Sequence, residues 1–431
     1  MKSKMSFVVF AAVSGILVLL YYSCFIAKGK EALIFVKTVR INDTFAIPFH
    51  LDRTMEFHLY NTDTTPVSFW VKKTKGVNYR NAATILSSTL SDTMDDKQKA
   101  FALWNLVSKS SFHYSFPYNH SLKDNVDPMA LVTFPYLLCG EKTGILINLA
   151  TIAGLKARAI LLQGHIVAEL FYANQWHMFD ADENVVFLNN EKEPASASEL
   201  SAHLDWISSS NLLRSEADNL SFLYNYKRYF RHFKLEPKTV CYNFQIANYR
   251  LRNMDITLHH NDTISYYLYP TSFLKRFFFP RYTFESKGIM KRKLSLQNKN
   301  FSHNGENKYE FNEHIPYYIK SIQVAINHEF DCETFLFLKS RIDSIEHCFS
   351  LGNFNQQHLL SREINAPASP DIYYDYRLSF ICKDSSLLNH ITVSTTFEFN
   401  AISFPLGSKE DVTVAFFKGS SVQLSVKSKK N

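Results

Sequence analysis

The chain has no internal repeat, no long low-complexity segment and no strong bias of charge. With 12 Gly and 13 Pro in 431 residues, nothing in it reads as a collagen-like or disordered array. Lys and Arg number 47 against 40 Asp and Glu, a formal charge of +7, and the excess is spread along the chain. No basic stripe marks a nucleic-acid surface, and no nucleic acid is expected as a partner. Acidic clusters of the kind that hold calcium are missing too. What is present is enough apolar sequence, 46%, for two or three domains with their own cores. The 37 Phe and 23 Tyr favour strands.

Cysteine is scarce, six in all, and one carries the chemical argument. Cys139-Gly140-Glu141 opens an apolar stretch in which Ile145, Leu149 and Ile152 recur on one helical face. Gly154 is placed to stop that helix. A thiol at a helix N-terminus sits where the macrodipole favours the thiolate, the reactive species. Most lone cysteines are small buried hydrophobes; the residues that follow distinguish this one. Ala157–Leu162 reads as a buried strand, His165–Tyr172 as a second and Gln175–Phe179 as a third, with Ala173-Asn174 as a two-residue hairpin connection. That loop length sets Tyr172 opposite Gln175, Val167 opposite Asp180 and His165 opposite Asp182. His165, Asp180 and Asp182 then project from one face. Asp180 becomes a diagonal neighbour of His165, able to orient the ring through one nitrogen and leave the other for the thiol. A loop one residue longer would reverse the parity. Asp180 also stands at the start of a turn-like run, Asp-Ala-Asp-Glu-Asn. Glu169 shares the His165 face, either backing the site or facing solvent, and Trp176 is read as a wall of it. Thiol, imidazole and carboxylate in this order are the parts of a nucleophilic acyl-transfer site. A zinc centre from Cys139, His165 and His177 is not expected, because His177 falls on the opposite face and no fourth ligand is spaced to close it. No metal and no cofactor is expected.

The run resembles the transglutaminase-like superfamily of the papain-like cysteine-enzyme class. The matching pattern is Cys-Gly-Glu, an apolar helix, Gly154-Leu155-Lys156-Ala157-Arg158, a short strand, Gly164-His165 through Glu169, and Trp176 through Asp180. The stretch Met94–Ala100 through Trp104–Val107 is similar to the helix preceding the core in that family. The likeness covers about residues 85–190. It implies Cys139 as nucleophile, His165 as general base and Asp180 as the orienting carboxylate, with Asp182 as an alternative carboxylate. Leu137-Leu138 precede the thiol where many relatives carry a small or polar residue. No glutamine stands in the oxyanion place; Tyr136 and the Cys139 backbone N–H are the substitutes. The expected fold is α+β: a transglutaminase-like core with a helix-borne Cys and an antiparallel sheet carrying His and Asp, followed by a β-sandwich-like C-terminal half. The expected activity is amide or peptide hydrolysis, or acyl transfer. The alternative is a catalytically silent scaffold of the cell envelope or of surface-polysaccharide machinery.

Residues 6–27 form an apolar run after Lys2 and Lys4, long enough to span a bilayer. An uncleaved anchor is favoured, with a cleaved signal peptide and a lipoprotein site at Cys24 as rivals. All three put the body outside the cytoplasm, where a protein, peptide or polysaccharide partner would be met. The expected division is 1–5 cytoplasmic tip, 6–27 anchor or signal segment, 28–75 N-terminal β region, 76–235 core and 240–431 β-rich domain. Cys241, Cys332, Cys348 and Cys382 allow two disulfides in three pairings. Ser196 and Glu199 have capping-box spacing before a helix over 197–207. Asn219–Phe233 reads as another helix. Phe273–Arg281 mixes aromatic and basic residues, a pattern that suits either an anionic surface or a strand with snorkelling cations.

Overall fold

The computed structural model describes residues 31–40, 44–47, 53–73, 76–113, 126–133, 136–208, 210–214, 229–240, 253–270, 284–296, 302–303, 308–314, 318–327, 332–340, 346–353, 358–362, 373–382, 391–400, 412–418 and 421–430, several strands among them by backbone path alone. The segments 6–27, 219–228 and 273–281 lie outside the described residues, as does Cys241. No helix of the described residues is long and apolar enough to cross a membrane.

The architecture is α+β, with few helices and predominantly antiparallel sheet. The described strands between residues 31 and 73 pair with strands from the C-terminal half. In an eight-stranded sheet, Glu31–Arg40 pairs with Ser421–Lys430, which pairs with Arg53–Tyr60, which pairs with Thr263–Pro270. The sheet continues through Phe284–Leu296 and Ile391–Asn400. Val67–Lys73 likewise lies between Ile256–Leu258 and Val412–Lys418. The two β-rich stretches are therefore one system, and the helical part is inserted between its strands. Residue patterning assigns strands to both stretches but says nothing of pairings such as Arg53–Tyr60 with Thr263–Pro270, about two hundred residues apart.

A further sheet contains Tyr373–Cys382 beside Cys332–Ser340, with Glu346–Asn353 on the far side of the latter. Its register sets Cys332 directly opposite Cys382. Cys348 is an exposed free thiol, so at most one disulfide can join the remaining three.

The inserted part holds the predicted thiol run. The helix Cys139–Ile152 begins at the thiol itself, ahead of the first residue of its apolar pattern, Ile145. Glu141 explains the extension, because its carboxylate accepts from the backbone N–H of Leu138 at 2.9 Å and so caps the first turn. Gly154, at φ +90°, ends it. The N–H of Leu155 donates to the Ala150 carbonyl and that of Gly154 to Thr151, the paired bonds of a Schellman cap. Residues 142–150 of this helix are all buried, because the helix Asp96–Ser110 covers one side and the sheet the other. That sheet has the order Lys238–Val240, Lys156–Leu162, His165–Tyr172, Gln175–Phe179. One continuous apolar core joins Ile85, Trp104, Ile145, Leu149, Ala168, Leu170 and Phe179 with Phe57 and Tyr266 of the eight-stranded sheet. A second cluster, on the opposite face of the four-stranded sheet, contains Ile160, Val167, Met178, Phe187 and Tyr229. The capping box at Ser196 and Glu199 is formed, but its helix spans only Ala197–Ala202 and passes into a 3-10 turn, Leu204–Trp206.

Candidate functional site

The hairpin loop has two residues. Ala173 and Asn174 take φ values of +47° and +60°, matching the right-handed strand twist, and the register runs Tyr172 opposite Gln175 through Ala168 opposite Phe179. Extending that register sets Asp180 against Val167, on the His165 face. The strand pairing stops there, because Asp180 exchanges two backbone hydrogen bonds with Val185 and closes a turn over Ala181–Asn184. Asp180 is thus turn residue and site residue at once. Its Oδ1 accepts from the N–H groups of Asp182 and Glu183 at 2.8 and 2.9 Å. Its Oδ2 lies 2.7 Å from Nε2 of His165. Since an ionised carboxylate only accepts, Nε2 carries the proton.

Three contacts hold this turn in place. The Trp104 indole N–H donates to the Asp180 carbonyl at 2.8 Å, and the Ser108 hydroxyl donates to the Ala181 carbonyl at 3.3 Å. The Tyr229 hydroxyl donates to Asp180 Oδ2. On the other side, Thr143 of the thiol helix donates its hydroxyl to the Ile166 carbonyl at 3.0 Å, fixing the helix end against the start of the histidine strand. Cys139, the first residue of that helix, is half-buried, and its sulfur, a His165 ring nitrogen and an Asp182 carboxylate oxygen lie within 4.8 Å of one another. With Nε2 held by Asp180, the nitrogen facing the sulfur is Nδ1.

His165 and Asp180 are 5% and 1% exposed, so their charges interact with little screening. Burial alone would push the ring below its ordinary range. The Asp180 charge and hydrogen bond, with a smaller contribution from Cys139, outweigh it and hold His165 well above 6.5. Burial likewise acts to raise Asp180, but the facing imidazolium and the Tyr229 hydroxyl leave it below its usual value.

Of the other anticipated residues, Glu169 and Trp176 fall elsewhere. Glu169 is buried, accepts from Arg158 at 2.7 Å and takes the backbone N–H of Ala197 at 2.8 Å. It lies four residues along the strand from His165, about 13 Å away, and ties the sheet to the next helix. Trp176 does not wall the site. It packs on the Arg158 guanidinium at 4.1 Å and on Phe171, at the far end of the same face. His177 lies on the opposite face, stacked on Tyr172 at 3.9 Å with Nδ1 donating to the Pro194 carbonyl. The strand Tyr136–Leu137 pairs with Phe112–His113, but the Tyr136 side chain lies outside the described residues. Asp182 comes closer to the thiol than its place in the turn suggests, and its carboxylate pairs with Lys142 Nζ at 3.0 Å, both side chains nearly inaccessible.

Sequence reading missed three participants. Lys142, in the first turn of the thiol helix, resembles an ordinary surface lysine. Tyr229 and His232 come from beyond the recognised run: Tyr229 meets the His165 ring edge-on, and the His232 ring lies over it at 4.7 Å. His232 is held by a double link to the Gln163 turn, its carbonyl accepting from Gln163 N–H and its Nδ1 donating back to the Gln163 carbonyl, each at 2.9 Å. The aromatic-basic run Tyr229-Phe230-Arg231-His232-Phe233 was the available signal, but its spacing from His165 carries no information on contact.

No family model matches the chain, and no curated protein does. Among solved structures, the chain is similar to the VP2 subviral particle of infectious bursal disease virus, at 12% identity over 44% of this chain and 56% of that one, with a TM-score of 0.19. The Gx and Gt strain structures of the same virus match at 7% and 9% identity over 93% of this chain, with TM-scores of 0.18 and 0.16. The chain thus spans little more than half the length of the first of these, and likenesses this low carry no argument about fold or activity.

Proposed function

We propose that this chain is a transglutaminase-like cysteine enzyme that cleaves an amide or peptide bond through Cys139, His165 and Asp180. One observation carries the reading: a buried imidazole is held by a carboxylate at 2.7 Å through Nε2, while its other nitrogen faces a half-exposed thiol at a helix N-terminus. In this reaction Nδ1 takes the thiol proton and the sulfur attacks the substrate carbonyl carbon. The carbonyl oxygen, negative in the tetrahedral intermediate, meets the outward N–H groups of the helix first turn. Collapse expels the amine, which takes the proton back from the imidazolium, and a thioester remains. Water, deprotonated by His165, releases the acid and restores the thiol; an amine in place of water would give cross-linking. Asp180 holds the ring in the tautomer that leaves Nδ1 able to accept, and stabilises the imidazolium. The family assignment, the export of the body by the 6–27 segment and a protein, peptide or envelope-polysaccharide partner belong to the same proposal.

Labelling by iodoacetamide tests it without a known substrate. In the presence of a chelator, Cys139 should react faster than the exposed Cys348, and His165→Ala should remove the difference. Equal and slow labelling of the two thiols, unaffected by that substitution, would instead support the catalytically silent scaffold.

A further inference from the structure

We infer that the same cleft is a Zn²⁺ site, with Cys139 Sγ, His165 Nδ1 and an Asp182 carboxylate oxygen as ligands and a water in the fourth place, and that the bound ion silences the thiol. The inference rests on the thiol–imidazole pairing of the proposed enzyme and adds a carboxylate that acyl transfer does not use. Thiolate, imidazole and carboxylate are the donors zinc takes, and three of them with one open position is the arrangement of an accessible zinc site.

The three donor atoms lie within 4.8 Å of one another. Bonds of about 2.3 Å to sulfur and about 2.0–2.2 Å to nitrogen and oxygen in a tetrahedron put ligand atoms roughly 3.5 Å apart. Closure therefore asks each donor to move by about an ångström or less, within the reach of side-chain rotation. The ring is already prepared. Its far nitrogen donates to buried Asp180 at 2.7 Å, the carboxylate backing that fixes tautomer and orientation in zinc-bound histidines. Asp180 is in turn held by two backbone N–H groups and Tyr229. His177, the histidine considered from sequence, is turned away; Asp182, in the turn that follows Asp180, takes the third place.

Lys142 opposes the ion. Its ammonium is 3.0 Å from Asp182 Oδ1, so a metal must share that carboxylate with a fixed cation. The geometry therefore points to a reversible site that responds to free zinc, weaker than a closed structural centre. Binding uses the thiolate and imidazole lone pairs that the acyl-transfer step needs, so occupancy and nucleophilic reactivity exclude each other. The thiol and imidazole protons pass to solvent as the ion binds.

The test uses the full chain, stripped with chelator and then dialysed. Zn²⁺ is titrated by calorimetry, and Co²⁺ is added separately to read thiolate ligation from its sulfur-to-metal absorption band. One ion per chain is expected, with a thiolate band that Cys139→Ser abolishes. Asp182→Asn should weaken binding at least tenfold, and iodoacetamide labelling of Cys139 should fall in proportion to zinc occupancy. Should Asp182→Asn fail to fold with Lys142 left unpaired, the double variant Lys142→Met, Asp182→Leu keeps the volume apolar and should show the same loss. Zinc affinity unchanged in Cys139→Ser, or unchanged on loss of Asp182, overturns the assignment, as does no binding at a tenfold excess of zinc over micromolar protein. The two proposals fail separately: a thiol that is fast in chelator but not protected by zinc refutes only the metal site, and a slow thiol that still binds zinc refutes only the enzyme.

Discussion

Replacing Asp180 by asparagine reverses the balance of forces on the His165 ring. In the native chain, burial disfavours the imidazolium, and the Asp180 charge and hydrogen bond more than compensate. Asparagine removes the charge and keeps the shape. Its Oδ1 can still accept from the N–H groups of Asp182 and Glu183, which Oδ1 of Asp180 takes at 2.8 and 2.9 Å. Its NH₂ then faces Nε2 and donates to it, so the ring proton must move to Nδ1, where it meets the sulfur and cannot accept. Burial remains as the main influence on the ring, with only the smaller contribution of Cys139 against it, so its titration should drop from well above 6.5 to below that value. Each unit of that drop corresponds to about 1.4 kcal/mol. The stability cost should lie between the ~1.5–3 kcal/mol of a hydrogen bond to a charged group and the ~3–5 kcal/mol of breaking a buried pair. At about 2–4 °C per kcal/mol, that is a fall in Tm of roughly 3–20 °C. An amidase activity, once a substrate is in hand, should fall by about 10⁴, the effect of the same tautomer reversal in a serine triad. The assays are ¹⁵N-histidine NMR titration, iodoacetamide labelling against pH and thermal melting, all in chelator. If Asp180→Asn still titrates well above 6.5, or its labelling profile superimposes on the native one, the electrostatic argument fails.

Other outcomes follow from the same contacts. Tyr229→Phe removes one donor from Asp180 and should cost about 1–2 kcal/mol while slowing Cys139 labelling only a few-fold; a loss as large as that of His165→Ala would mean that Tyr229 acts on the thiol directly. Glu169→Ala strands Arg158 and the Ala197 N–H and should destabilise by about 3 kcal/mol, yet leave the labelling rate of the folded fraction unchanged, since Glu169 is scaffold. The pH dependence of stability has a fixed sign. The raised His165 contributes stability in full below its unfolded value of about 6.5, and that contribution is lost as pH rises through the higher folded value. The lowered Asp180 contributes above its unfolded value of about 3.9, and that is lost as acid takes pH through the lower folded value. The Tm advantage of the native chain over His165→Asn should therefore be greatest between about pH 5 and 6.5 and shrink on the alkaline side; an advantage that grows with alkalinity contradicts the assignment.

Much of the site was legible because it is local. The hairpin parity needed only a two-residue loop and a period of two, so Tyr172 opposite Gln175 and Asp180 on the His165 face were within reach of counting. The strands His165–Tyr172 and Gln175–Phe179 were bounded correctly by their turns. Glu169 and Trp176 were placed on the right face, but at the wrong end of it: parity assigns a side chain to a face and says nothing of its position along the strand, and Arg158 claims both. The residue partners of the long strands were out of reach altogether, since Arg53–Tyr60 finds Thr263–Pro270 and Ser421–Lys430 through contacts that no short-range pattern encodes.

From the amino-acid order alone come the thiol at a helix tip, the glycine that ends the helix, and the face that carries imidazole and carboxylate, because each depends on residues within a few positions of one another. Only the folded chain brings Lys142 against Asp182, lays His232 and Tyr229 on the ring of His165, and threads the first strands between the last. Those contacts depend on burial and on which surfaces pack together, and a buried charge finds its partner by proximity in space.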